Sequence, residues 1–304
     1  MNRPGFASRI HIPIARYLIL IAGICITTTA TMAQDPAAGQ TGNGAGNQTP
    51  AAAAAAPAKP NSDDEWLAKT AKLYYSSAKA GLTGFDCAIH PDWHTLFASA
   101  NKGKDVPEDD PRIALLNSVK ITLHARMRGI STIDWVADSD PDNPIDQNST
   151  DLLDSMHKAV EERLEGFLQF WGPFMEASVV PDSGEGLEIT HTPTVHTIRA
   201  KQGGTELTEV FSSDLVLEQF DVNLSGTSIK FTPVYEPTPQ GLLVNAFEAR
   251  ILPAGAPSAQ EQVMKVGIEY QPVGGFTIPG KLNMDLAGAG IFKFAIDGCT
   301  TNPK

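Results

Sequence analysis

The sequence predicts an α+β fold in which a long antiparallel meander sheet carries two amphipathic helices on one face. Three patterns lead to this prediction: alternating segments after Pro181, an apolar helical stripe over residues 149–175, and a capped helix start at Ser62. A period of two is typical of half-buried strands, and recurrence every three or four residues is typical of a helix packed on one side.

The part of the chain after Pro181 is almost entirely strand-like. Its alternating runs are separated by the turn pairs Gly203-Gly204, Ser225-Gly226, Gln240-Gly241 and Gly274-Gly275. Glycine tolerates the positive φ angles of tight hairpin turns, so this spacing predicts seven to nine strands in a meander. An earlier run, "SVKITLHARMRG", alternates from Val119 to Met127 and predicts a further strand whose polar face includes His124.

The first predicted helix begins at Ser62, which forms a capping box with Glu65. Trp66 and Tyr74 lie on its apolar side, and Gly81 is the expected stop.

The second predicted helix covers residues 149–175. Its stripe consists of Leu152, Met156, Val160, Leu164, Phe167, Trp171 and Phe174. The Gly172-Pro173 pair is expected to kink or end this helix, because proline lacks a backbone N–H.

The N-terminal region predicts export. Residues 1–33 carry three arginines, the short apolar run "YLILIAGICI" and small residues before Gln34, which is the layout of a signal peptide. The alternative is an uncleaved membrane anchor, but the apolar run is shorter than the roughly 20 residues that a spanning helix needs. Residues 34–61 are rich in Ala, Gly and Pro and predict a disordered linker, so residues 62–304 form the single folded domain. We expect a periplasmic or secreted protein.

The charge of the chain disfavours nucleic acid as a partner. The formal net charge is −12, and removal of residues 1–33 makes it three units more negative. Binding to phosphates requires clustered lysines and arginines instead.

Two cysteines, Cys87 and Cys299, remain after residue 33, and in an exported chain they predict a disulfide. A metal site formed by Cys87, His90 and His94 is the alternative, but Pro91 breaks a helix that would align the two histidines. A reactive thiol is a third possibility, although no C-x-x-C motif is present.

No short motif in the sequence identifies a catalysed reaction. H-E-x-x-H, G-x-S-x-G and the phosphate-binding loop are all missing. His191 and His196 are five residues apart, which places them on opposite faces of a flat strand and disfavours a shared metal. Asp109 and Asp110 are expected to be solvated loop acids. We therefore expect no catalytic residue, metal or cofactor, and our first hypothesis is a protein that is not an enzyme.

The order of these elements resembles that of the periplasmic lipoprotein carriers and sorting proteins of the LolA/LolB type. The resemblance covers about residues 63–298, and "VGIEYQPVGGFTIPGKLNMDL" is similar to the late strands of the broader sorting group. It implies an open half-barrel whose helices cover an apolar hollow for acyl chains. No functional residue is transferred by motif.

The resemblance implies an exported binding protein with an apolar cavity for lipid or acylated protein. The candidate cavity residues are the large apolar side chains expected on the covering helix and on the facing strands, namely Phe167, Trp171, Phe174, Phe211, Leu217, Phe231, Phe247 and Phe276. An ordinary solid core is the alternative for the same residues. Two other functions stay open: an envelope protein that acts through protein–protein contacts, and an exported hydrolase whose site is assembled from distant residues.

Overall fold

The computed structural model describes residues 62–101, 103–127, 130–137, 146–176, 179–287 and 290–304. The predicted signal peptide, residues 1–33, and the predicted linker, residues 34–61, lie outside the described residues. Four α-helices occur in the described part: α1 (Ser62–Ala71), α2 (Trp93–Ala100), α3 (Pro111–Asn117) and α4 (Gln147–Glu176). None of the described helices is long and apolar enough to cross a membrane.

All described strands belong to one sheet. They are β1 (Leu82–Pro91), β2 (Val119–Arg126), β3 (Thr132–Ala137), β4 (Glu188–His191), β5 (Val195–Gln202), β6 (Thr205–Ser212), β7 (Leu217–Leu224), β8 (Thr227–Thr238), β9 (Gly241–Leu252), β10 (Gln262–Val273), β11 (Phe276–Leu286) and β12 (Gly290–Pro303). A single 3-10 turn, Ser258–Gln260, lies between β9 and β10.

The sheet is a twelve-stranded antiparallel meander with the order β3-β2-β1-β12-β11-β10-β9-β8-β7-β6-β5-β4. Nine strands follow Pro181, each pairing with the next as a hairpin. Gly203 and Gly204 both have positive φ in the β5–β6 turn, as do Gly274 and Gly275 in the β10–β11 turn. The predicted α+β fold with a long meander is confirmed. The sheet is not closed into a barrel, because β3 and β4 remain at its two edges.

One face of the sheet carries the core. On β2 the predicted alternation holds, with Ile121, Leu123 and Ala125 buried and the residues between them more exposed. The largest apolar cluster joins the sheet to the inner sides of α2, α3 and α4, and a second cluster lies beneath α1.

Helix α1 is shorter than the sequence predicts. It ends at Ala71 instead of continuing to Gly81, because the chain next pairs with β9. The N–H of Tyr75 donates to the carbonyl of Leu242 at 2.9 Å, and the N–H of Leu242 donates to the carbonyl of Leu73 at 2.6 Å. Tertiary pairing therefore overrides the helical stripe here.

Helices α2 and α3 were not predicted from the sequence. Asp92 caps α2 by accepting a hydrogen bond from the N–H of Thr95, and Asp110 caps α3 in the same way through Arg112. The expectation that Asp110 is a solvated loop acid is wrong, because this residue is only 8% exposed. Its hydrogen bonds from the Arg112 guanidinium lower the pKa of the carboxyl to about 2.

Helix α4 agrees with the predicted span but continues past Gly172-Pro173 to Glu176. Of the two predicted effects of this pair, an end of the helix is therefore wrong, and a kink stays a prediction. Pro173 lies in the last turn, where the missing N–H removes only one backbone hydrogen bond.

Candidate functional site

An aromatic layer lies between the C-terminal half of α4 and the strands β8 and β9. The ring of Phe231 is central: its centroid is 5.1 Å from that of Phe174, 4.8 Å from that of Phe247 and 6.1 Å from that of Phe170. Such spacings are typical of aromatic contacts that stabilise beyond simple area burial. The layer joins the covering helix to the sheet through side chains.

Trp171 fixes the same helix to the sheet by a polar contact. Its ring stacks on Phe167 at 5.3 Å, and its Nε1 donates to the hydroxyl of Tyr270 at 2.9 Å. That hydroxyl in turn donates to the carbonyl of Val244 at 2.5 Å. Burial raises the pKa of Tyr270, which keeps its hydroxyl protonated as a donor.

A second cluster lies beside this layer, under α1. Phe211 and Leu217 are buried there with Leu67 and Tyr74, and Phe174 of α4 packs against the cluster from the other side. The hydroxyl of Tyr74 donates to the carbonyl of Leu215 at 2.9 Å and accepts from the N–H of Leu217 at 2.7 Å. Tyr74 therefore holds the chain after α1 against the start of β7.

The structure divides the eight candidate cavity residues between these clusters. Six belong to the largest cluster or pack against it, namely Phe167, Trp171, Phe174, Phe231, Phe247 and Phe276. Phe211 and Leu217 belong to the second. All but Phe174 and Phe276 are buried. Ring contacts within the set join Phe231 to Phe174 and Phe247, and Phe167 to Trp171. A role for these residues in lining a cavity stays a prediction.

Glu209 is the residue of this region that the sequence analysis missed. It lies on β6 between the inward positions of Leu207 and Phe211, and only 2% of its surface is exposed. Its Oε2 is buried and has no hydrogen-bond partner within the part of the chain that the structure describes. Burial raises the pKa of this carboxyl to about 8. The sequence does indicate this residue, because the alternation of "TELTEVFS" places an acidic side chain on the apolar face of the strand.

The disulfide between Cys87 and Cys299 agrees with the prediction, with the two α-carbons 4.2 Å apart. Because Cys87 is bonded in this way, its thiolate is not available to a metal. The pair joins β1 and β12, which are hydrogen-bonded neighbours inside the sheet. The bond therefore links two inner strands of the sheet and does not bring its edge strands β3 and β4 together.

His191 and His196 face each other, contrary to the prediction from a flat strand. A hairpin between β4 and β5 makes them cross-strand partners, and their Nδ1 atoms are 2.9 Å apart. His191 Nε2 also contacts Asp63 of α1 at 3.3 Å, and the Trp66 ring packs against both imidazoles. Asp63 and His196 contact different nitrogens of His191, so the three side chains form a row rather than a cage. Among the described residues, no group of three or more His, Cys, Asp or Glu side chains is arranged to hold a metal ion.

A polar network occupies the opposite face of the sheet. Nδ1 of His124 lies 2.6 Å from Asp86, and its Nε2 lies 3.1 Å from Asp134. Arg126 and Asn302 also donate to Asp86. Because both nitrogens of His124 contact carboxylates, neither is left to activate a nucleophile, and the network offers no support for the hydrolase hypothesis.

We expect the histidines to titrate in a defined order. The hydrogen bond to Asp86 raises the pKa of His124, whereas burial and the neighbouring His191 lower that of His196. Imidazole resonances followed by NMR from pH 5 to 9 should show the midpoint of His124 above 6.5 and that of His196 below it. Asp134→Asn should lower the midpoint of His124 and leave His196 unchanged, whereas the reverse order of the two midpoints would contradict the geometry.

A shallow hollow of about 760 Å³ also lies on the polar face, over β9 to β12 and the end of β1. Gly267 leaves room at its floor, and Lys281, Lys293, Glu269 and His90 surround it. Lys281 is paired with Glu269 at 2.7 Å. The mixed charges favour no single ligand class.

A scan against protein-family models finds no match, and searches of curated proteins and of solved structures find no significant match either.

Proposed function

We propose that this chain is an exported, non-enzymatic carrier that holds lipid or acylated protein between α4 and the sheet. The observation that carries the proposal is the aromatic layer, in which one helix covers the apolar face of an open sheet. Phe170 and Phe174 of α4 meet Phe231 and Phe247 of the strands in this layer.

The attachments of α4 to the sheet are mostly apolar, with the hydrogen bond from Trp171 to Tyr270 as a polar exception. A backbone attachment lies at the C-terminal end of the helix. There the carbonyl of Met175 accepts from the N–H of Ala78 and from the hydroxyl of Ser76, each at 3.0 Å. An acyl chain that replaced ring contacts would contribute about 0.8 kcal/mol for each buried methylene. The open meander with a covering helix is also what the resemblance to lipoprotein carriers implies.

A second candidate is protein–protein contact at the edge of the sheet. Strand β3 is an edge strand, and its Val136 is 55% exposed. Ile130, just before this strand, is 87% exposed. An unpaired edge with apolar side chains is a template for another chain. This envelope-protein alternative gains weight if the domain captures no lipid.

The carrier proposal predicts that Trp171→Leu weakens lipid binding. Residues 62–304 should bind a fluorescent long-chain fatty acid, and the variant should bind it about tenfold more weakly because part of the apolar cover is lost. The same change should lower the free energy of unfolding by about 2 kcal/mol. Fluorescence titration and urea unfolding measure the two effects separately.

Trp93→Leu is the matched control. Trp93 is equally buried in the large cluster, but it lies on α2 and packs against Trp135, away from the aromatic layer. The control should lose similar stability and keep the affinity for the fatty acid. Equal loss of binding in both variants, or a wild-type domain that binds no lipid, would remove the carrier proposal in favour of the protein–protein alternative.

A further inference from the structure

The core beneath the covering helices is interrupted by one carboxyl group. On β6 the inward residues Leu207 and Phe211 belong to two different apolar clusters, and Glu209 lies between them. Phe170 of α4 packs against the cluster that contains Leu207, and Phe174 packs against the cluster that contains Phe211. Glu209 therefore lies at the break between two apolar clusters, each of which packs against one aromatic ring of α4.

Among the described residues, none forms an ion pair with Glu209. Its cross-strand partners are Ile198 on β5 and Phe220 on β7. Tyr74 is close enough for the two groups to influence each other electrostatically, but its hydroxyl is already engaged with Leu215 and Leu217. Burying a polar atom without a hydrogen-bond partner costs free energy. Such an atom at the break between two apolar clusters therefore suggests a ligand that supplies the missing hydrogen bond, or another role that offsets the cost.

We propose that Glu209 is the hydrogen-bonding anchor for the carbonyl group of an acylated cargo, whose chain replaces the ring contacts on either side of it. This inference rests on the proposed carrier function and names the polar group that the carrier recognises. The carboxyl of Glu209 would donate its proton in a hydrogen bond to the carbonyl oxygen of the cargo, and no covalent bond would change.

The chemistry favours a neutral acceptor over a cation. Burial keeps the carboxyl protonated at neutral pH, so it is available as a donor. An amine would require the carboxylate to form among apolar side chains, where an ion pair must overcome the desolvation of both charges. A carbonyl needs no ionisation, and free fatty acids, esters and amide-linked acyl groups all supply one.

The test compares three probes that share one pyrene-labelled chain and end in a carboxylic acid, a methyl ester or a methyl group. Glu209→Leu should weaken binding of the acid and the ester about tenfold, because a buried hydrogen bond is lost, and should leave the methyl-terminated probe unaffected. Glu209→Gln keeps a donor of similar shape and should bind all three within about twofold of wild type. The acid and the ester separate free fatty acid from ester-linked cargo as the source of the carbonyl.

The outcomes distinguish this inference from the carrier proposal. If the wild-type domain binds all three probes and Glu209→Leu binds each of them as tightly as wild type does, Glu209 is not an anchor and the carrier proposal stands. If wild type binds none of them, both proposals fail. Circular dichroism and urea unfolding of both variants identify a loss of binding that comes from misfolding, and selective loss of the carbonyl probes in a folded Glu209→Leu domain supports the anchor.

Discussion

Replacing both Cys87 and Cys299 by alanine should lower the free energy of unfolding by about 5 kcal/mol. The bond closes a loop with a sequence separation of 212 residues, and the loss of such a cross-link releases chain entropy in the unfolded state. Urea unfolding of residues 62–304 under oxidising conditions measures this difference.

Treatment of the protein with a reductant provides the control for this prediction. Wild type treated with a strong thiol reductant should approach the stability of the double variant, which should not itself respond. A double variant as stable as the oxidised wild type would show that the paired strands alone hold β1 against β12. The cluster around buried Cys87 would then contribute more than the covalent link.

Glu209→Gln should raise the free energy of unfolding by about 3 kcal/mol at pH 7. A solvated glutamate has a pKa of 4.5, and burial raises the pKa of Glu209 to about 8. At pH 7 the folded state therefore keeps a proton that the unfolded chain has released. The wild type therefore loses stability as the pH rises from 4.5 to about 8, whereas an amide has nothing to titrate. Unfolding midpoints at pH 4 and pH 7 test the sign directly.

The advantage of the glutamine variant should almost disappear at pH 4, where the unfolded acid is also protonated. Glu218→Gln on the neighbouring strand is the matched control, because Glu218 is exposed and its replacement should change stability little at either pH. A constant difference between Glu209→Gln and wild type across this range would mean that Glu209 is not protonated in the folded domain.

The parts of the fold that follow from local periodicity could be predicted from the sequence. The stripe of α4 and the alternation of the strands after Pro181 each repeat many times, so a single polar exception does not hide the pattern. The end of α1 could not be predicted, because Tyr74 satisfies the helical stripe equally well. Only the pairing of Leu73 and Tyr75 with β9 decides against the helix.

The candidate site, too, could be predicted from the sequence only in part. The sequence identifies most of the aromatic residues of α4, but it does not show that Phe170 also packs on Phe231, with 6.1 Å between the ring centroids. His191 and His196 face each other because a hairpin connects β4 to β5. The prediction treated both residues as part of one flat strand and therefore missed this contact. Glu209 could have been recognised from its place in an alternating strand, whereas its lack of a hydrogen-bond partner depends on side chains distant in sequence.

The position of β12 between β1 and β11 has a consequence for the order in which the domain is completed. Strands β1 to β3 are synthesised first, but they join β4 to β11 only through β12, which is synthesised last of the twelve. During synthesis these three strands must wait, with one side of β1 unpaired, while almost the whole meander emerges. Long-range pairing of this kind slows folding and leaves exposed strand edges at risk of aggregation. The addition of residues 290–304 is therefore the step that converts two separate sheets into one.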